Sequence, residues 1–432
     1  MKVEEGKVMY KKYFYLIVAL VLVASLSICA FAQEKEIELS VLNYLDITSP
    51  EAKTWDATLE AFKAENPNIK LKIENLFGEA YHQKIRALAA AGNLPDVMYL
   101  WPGGRSAEIY KNELTEDLYP YLGANRARFV PVAVAPQWEG KLYELPIGIT
   151  ATHVMFVNTK LLKDLDLTIA KTYDELVAMV PKIKAAGLDP IIMPNKAAWV
   201  MQSCLFSALV GRIGGQEWLE KAIAGEASFT DPEFVDSLKL VKDLYDTGLF
   251  PPSSIQLEYG DGPNLFASGK GVFMIDGDWR VNALIPLLSE EEQKNITLTV
   301  FPDISGQKGK SGSTSTVAAT GFGMKAGLAK EKADAAWKWI YFFAGAKASE
   351  IRLVEQGMIP SYRLKLREYD IPTLAKKRGD FYSVHSGTYV LDDKISGEPI
   401  NLLNSGLQEL AMGAITPEKL AADFEAAMKE VR

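Results

Sequence analysis

The sequence predicts an α/β protein, and three stretches carry that prediction. Residues 37–100 alternate short β-forming runs with amphipathic helical segments in the order β-α-β-α-β, the pattern of a parallel sheet with helices on its faces. Residues 141–161 hold two further β-rich runs around Gly148. Residues 269–284 read as a buried strand, Val272-Phe273-Met274-Ile275, that ends in the turn Asp276-Gly277-Asp278 and delivers Trp279 and Arg280 to a loop. At 432 residues the chain has room for two or three domains of roughly 150 residues each.

Each element has a local reason. The first strand, 37–42, alternates polar and apolar and runs out at Asn43-Tyr44-Leu45-Asp46. Trp55, Leu59 and Phe62 fall at helical spacing, Asn66-Pro67-Asn68 ends that helix, and 69–73 is a second strand. A helix over 78–91 leads to the third strand, 95–100, which stops at Trp101-Pro102-Gly103-Gly104. Thr172 as N-cap with Glu175 three residues on is a capping box. Residues 200–250 read as mostly helical, broken at Gly214-Gly215 and Pro251-Pro252; 297–301 is a strand and 306–320 a polar Gly/Ser/Thr loop. Residues 330–345 form an apolar helix that puts Trp337 and Trp339 in a core, and 417–431 form a closing amphipathic helix.

Composition excludes several classes. A net charge of −8 and a pI near 5.3 speak against nucleic acid, which needs a basic field. The histidines His82, His153 and His385 lack metal-binding spacing, no G-x-S-x-G elbow exists, and Ile304 stands where the P-loop-like run ending in Lys310-Ser311 needs its first glycine. No cofactor and no metal are expected. Lys7, Lys11 and Lys12, the apolar run 16–31 and Ala30-Phe31-Ala32 form an export signal cleaved before Gln33. Bulky Ile28 before Cys29 argues against a lipoprotein, and Cys204 is then the one cysteine of the mature chain.

In open α/β sheets, ligands bind beyond the C-terminal ends of strands. The candidates there are Tyr44 and Asp46 after the first strand, Glu79 (beside Tyr81) after the second, Trp101 after the third, and Asp278, Trp279 and Arg280 after the 272–275 strand. Trp199 and Phe322 are further candidates, and Tyr362, Arg363 and Tyr389 rank below them. For Trp279, Trp199 and Phe322 the alternative is plain core; for Glu79 it is an exposed helix start.

Several motifs in this order resemble the extracellular solute-binding proteins of sugar ABC importers, the maltose-binding-protein-like family. They are Leu145-Pro146 followed by Phe156-Val157-Asn158-Thr159-Lys160-Leu161, the helix start Lys171-Thr172-Tyr173-Asp174-Glu175-Leu176, and Gly269-Lys270-Gly271 with Gly277-Asp278-Trp279. Gly357-Met358-Ile359-Pro360-Ser361, Asn401-Leu402-Leu403 and Thr416-Pro417-Glu418 complete the set; Phe156 and Val157 depart from the family's usual tyrosine before the asparagine. The resemblance implies two α/β lobes of the type II periplasmic-binding-protein fold, joined by hinge crossovers, with the ligand cleft between them. Lobe 1 would be 33–148 plus 301–344, and lobe 2 149–300 plus 345–432. It implies a monomeric exported binder of a sugar or oligosaccharide, partnered by the membrane permease of an ABC importer, with Trp279 as a sugar-stacking face. Aromatic faces suit the C–H face of a pyranose, and Asp, Glu, Asn and Arg suit its hydroxyl rim. The rival readings are an exported glycoside hydrolase using Asp46 and Asp278 as acid and base, and a binder of a non-sugar solute.

Overall fold

The computed structural model describes residues 35–432 except Pro50, Ala319 and Ser386, and except the side chains of 316–318. The expected export signal, with Cys29, lies outside the described residues. In chain order the strands are β1 Ile37–Tyr44, β2 Ile69–Leu76, β3 Val97–Leu100, β4 Leu145–Pro146, β5 Ile149–Ala151 and β6 Val154–Asn158, followed by β7 Asp189–Ile192, β8 Gly271–Asp276, β9 Ile296–Thr299, β10 Thr314–Ala318, β11 Gly321–Met324 and β12 Gly387–Thr388.

The first sheet has the order β2-β1-β3-β11-β4. β1 lies parallel to β2 along its whole length, from Ile37 opposite Ile69 to Tyr44 opposite Leu76, and parallel to β3 on its other side. Parallel neighbours need crossovers, and the helices Glu51–Glu65 and Glu79–Ala90 supply them. One face buries Leu39, Val41 and Val97 against Phe62, Trp339 and Phe343. The other packs Leu42, Met98 and Leu100 against Tyr81 and Ile85.

The second sheet has the order β7-β8-β6-β9. β8 is buried at all six positions, as expected of an unalternated Val-Phe-Met-Ile run in mid-sheet. It is parallel to β7 and antiparallel to β6. Leu176 and Ile183 of the helix Tyr173–Ala185, Phe234 and Leu238 of the helix Pro232–Asp246, and Phe424 of the helix Pro417–Val431 cover one side. Thr172 caps its helix by accepting from the Glu175 amide, but Glu175 returns to the amide of Lys171, so the expected box closes one residue early. The complete capping box is Ser289 with Glu292.

Three crossing segments run abreast between the sheets. The Ile147 amide donates to the Thr320 carbonyl at 3.1 Å, the Ile149 amide to the Ile359 carbonyl at 3.0 Å, and β5 pairs antiparallel with β10. β10 corrects the expectation of a loop over 306–320. Its sequence carries no apolar alternation; Thr314 Oγ1 donates to the buried His153 carbonyl, while the buried Ser315 hydroxyl has no partner among the described residues. Phe301 joins the second sheet's core, and the Arg212 guanidinium donates to the carbonyls of Phe301, Pro302 and Ser313, so 301–313 packs with the second sheet. The helix Ala346–Gln356 packs on the first sheet's helix Glu51–Glu65, where Thr54 Oγ1 donates to Glu355 Oε2 at 3.0 Å.

Candidate functional site

The end of β8 is a locked turn. Asp276 stays wholly buried; its Oδ2 accepts from Arg280 Nε at 2.6 Å and its Oδ1 from the Gly277 amide at 2.8 Å. The Arg280 guanidinium lies 3.6 Å over the Tyr259 ring and donates to the Tyr259 carbonyl. Tyr259 Oη in turn accepts from Trp279 Nε1 at 2.6 Å. Trp279 therefore has a fixed orientation, and its ring lies across Gly277, where a Cβ would fall 2.2 Å from ring carbons. Trp279 is half-buried. Its ring centroid is 6.2 Å from that of Trp199, which is 5.0 Å from Tyr259. These three rings form an aromatic wall on the second sheet's side.

The first sheet presents a second aromatic group at the ends of β1, β2 and β3. The Tyr44 ring touches Phe77 at 4.8 Å, Trp101 edge-on at 5.0 Å and Tyr99 at 5.9 Å. His82 packs 4.8 Å from Trp101. Burial, helped by the Arg105 charge, pulls the His82 pKa down to about 4, so the ring is neutral at pH 7.

Arg105 joins the two groups. It sits in the turn Gly103–Ser106 that follows Trp101, and its guanidinium lies 5.6 Å over the Trp199 ring. Its Nε donates at 2.8 Å to Asp392 Oδ2, and Nη2 donates to the same oxygen. Asp392 belongs to the short helix Leu391–Lys394, whose Leu391 is buried in the second sheet's core. Gly103 and Gly104 permit the approach: Gly103 has φ +66°, and a Cβ on Gly104 would stand 2.8 Å from the Asp392 carbonyl.

Tyr44, Trp101, Trp199 and Trp279 thus lie in the two aromatic groups that Arg105 connects. Five other candidates are placed differently. Asp278, expected on an exposed loop, is 0 % exposed; its Oδ2 accepts from Arg378 Nε at 2.7 Å and from the Tyr382 hydroxyl, and its amide donates to Ala151. It fastens the helix Thr373–Val384 to β5. Arg280, also expected on the loop, is 7 % exposed and holds Asp276 and Tyr259. Phe322 is in the first core, its ring 5.3 Å from Phe343 and 5.7 Å from Trp339, because β11 is an inner strand. Asp46 shapes its own turn by accepting from the Thr48 amide and hydroxyl. Glu79 is exposed and ion-paired with Arg86 at 2.6 Å. Sequence reasoning missed Arg105, Asp392, Tyr259 and His82. Arg105 alone had a signal, since it directly follows Trp101-Pro102-Gly103-Gly104 at a strand end.

The model for bacterial extracellular solute-binding proteins matches residues 48–350. An uncharacterized ABC transporter extracellular-binding protein of Pyrococcus horikoshii is 25% identical over 238 residues, 53% of each chain, so that match spans about half the length of the relative. The multiple sugar-binding protein of Streptococcus mutans is 24% identical over 345 residues, 76% of this chain and 77% of that one. Among solved structures, one from work on xylan utilization by Caldanaerobius polysaccharolyticus superposes with a TM-score of 0.81 at 21% identity, covering 90% of this chain and all of that one. The two sheets and their crossovers are accordingly the two lobes of an α/β solute-binding fold.

Proposed function

The chain belongs to the bacterial extracellular solute-binding protein family, and from that premise we propose that it captures a sugar or oligosaccharide between its lobes and hands it to the permease of an ABC importer. The observation that carries this is the pair of aromatic groups on opposite lobes, Tyr44 with Trp101 and Trp199 with Trp279, linked by Arg105. Aromatic rings cover the C–H face of a pyranose, while the guanidinium of Arg105 offers a donor to its hydroxyls. Lobe 1 comprises the first sheet with its helices, including Ala346–Gln356; lobe 2 comprises the second sheet with 301–313 and the C-terminal helices. The three abreast crossings are the hinge about which the lobes close. Export to the periplasm or cell exterior, a monomeric state and the absence of catalysis belong to the same reading. Against hydrolysis, Asp278 Oδ2 is already held by Arg378 and Tyr382, and Asp46 is held in its own turn.

The names of relatives support the ligand class, among them the multiple sugar-binding protein and a probable sugar-binding periplasmic protein of Mesorhizobium japonicum. The test is a thermal-shift and calorimetry screen with mono- and oligosaccharides. A ligand at 100 times its Kd adds about 2.7 kcal/mol of stability. A screen in which no sugar shifts the midpoint, while amino acids or peptides do, overturns the reading. Turnover of chromogenic glycosides overturns the binder assignment.

A further inference from the structure

The cations around the interlobe aromatic groups share one property: each has its charge or its donors engaged inside the protein. Arg280 is sealed against Asp276 and Arg378 against Asp278. Lys394 lies 2.9 Å from Asp393. Arg352, 7 % exposed, gives its Nη2 to the carbonyls of Phe343 and Ile147. Arg105 reaches over the Trp199 ring from the turn that follows Trp101, and it is paired across the lobes with Asp392, itself 7 % exposed.

Both Arg105 donors that meet Asp392 go to a single oxygen, Oδ2. Nη1 has no partner among the described residues, so it remains a donor to a ligand hydroxyl while the guanidinium charge is already compensated. A ligand carboxylate or phosphate arriving at Nη1 would meet a guanidinium whose charge Asp392, on its Nε–Nη2 edge, already compensates. In a partly desolvated cleft the Asp392 charge then opposes a second anion instead of leaving Arg105 free to attract it. A hydroxyl suffers no such opposition.

We propose that Asp392 sets the charge class of the ligand: by compensating Arg105 across the lobes it restricts the cleft to uncharged sugars and turns away uronates and sugar phosphates. The inference rests on the sugar-capture reading. It makes Asp392 a specificity-determining residue that acts through Arg105, and it predicts that removing the carboxylate turns Arg105 into an anion receptor.

The test is calorimetry on the exported full chain with two sets of probes: neutral maltotriose, cellotriose, xylotriose and mannotriose, and acidic trigalacturonate, trimannuronate and C6-oxidised cellotriose. In the wild type the best neutral probe should bind at least about 30-fold more tightly than the best acid. Asp392→Asn should narrow that ratio about tenfold, through gained affinity for the acid probes. An acid probe that binds the wild type as tightly as the best neutral one overturns the proposal and leaves sugar capture standing. An unchanged ratio in a folded Asp392→Asn also overturns it. If Asp392→Asn does not fold, the wild-type ratio decides. Binding to none of the probes, with the mono- and oligosaccharide screen also blank, removes the sugar-capture reading and this inference with it.

Discussion

Replacing Trp279 by alanine separates the two things the indole does. Its exposed face is available to a ligand, and its Nε1 holds Tyr259 Oη at 2.6 Å. Removing an aromatic anchor from a binding site costs on the order of 2 kcal/mol or more, which is about 30-fold in Kd. The stability cost follows from burial. A fully buried tryptophan loses roughly 3–5 kcal/mol on truncation to alanine. Trp279 is half-buried, so packing contributes about half of that, and the lost hydrogen bond adds about 1 kcal/mol. Tyr259 Oη keeps a second contact, at 3.3 Å to Asp276 Oδ1, which limits the damage. The expected apo destabilisation is about 2–4 kcal/mol. Trp279→Phe distinguishes the roles, since it retains a flat face and loses Nε1; it should cost about 1 kcal/mol of stability and only a few-fold in affinity. The assay is calorimetry with the sugar that gives the largest thermal shift, beside urea unfolding of both apo variants. Unchanged affinity in a folded Trp279→Ala would refute the stacking role. So would a Trp279→Phe as damaging to affinity as the alanine variant, because the hydrogen bond would then be the contribution that matters.

Three further outcomes follow from buried charge. Asp278→Ala leaves the Arg378 guanidinium buried without its carboxylate and should lose about 3–5 kcal/mol in urea unfolding; a loss under about 1 kcal/mol would contradict the anchoring role. Burial holds the Glu144 carboxyl well above its ordinary value of 4.5, so folding favours its protonated form, and its stability contribution is lost as pH rises above about 4.5. Glu144→Gln should therefore raise the unfolding midpoint at pH 7.5 and not at pH 4, and an equal effect at both would refute the buried acid. His153 accepts from the Phe301 amide and meets the Cys204 carbonyl, and burial pulls its pKa down from 6.5 to about 3. Its stability contribution is thus complete above pH 6.5 and lost progressively as pH falls toward 3. Between pH 6 and 5 the wild type should lose on the order of 1 kcal/mol more than His153→Asn, and parallel profiles would rule this out.

The parallel part of the first sheet, β2-β1-β3, was legible because each of its parts carries a local signal. Alternation fixes β1, helical spacing of Trp55, Leu59 and Phe62 fixes the next helix, and Asn66-Pro67-Asn68 separates it from β2. The apolar run of β8 with its Asp-Gly stop was legible for the same reason. β10 was not, because a Thr/Ser-rich strand that pairs with another crossing segment has the composition of a loop. Neither the attachment of 301–313 through Arg212 nor the docking of Ala346–Gln356 on Glu51–Glu65 leaves a mark in the local pattern.

The aromatic candidates and the charged ones parted for a physical reason. A tryptophan after a strand end can stay half-exposed at little cost, since its ring needs no partner and its one N–H is easily met, as Tyr259 meets Trp279. A carboxylate or guanidinium at the same place either faces water or must be compensated, and sequence does not say which. Asp276 and Arg280 are four residues apart and compensate each other. Asp278 and Arg378 are a hundred residues apart, and only the packing of the helix Thr373–Val384 against β5 brings them together. The same holds for Arg105 and Asp392, separated by 287 positions and by the gap between the lobes. At the end of β8 it is the Asp276–Arg280 pair, through Tyr259, that fixes the orientation of the Trp279 ring.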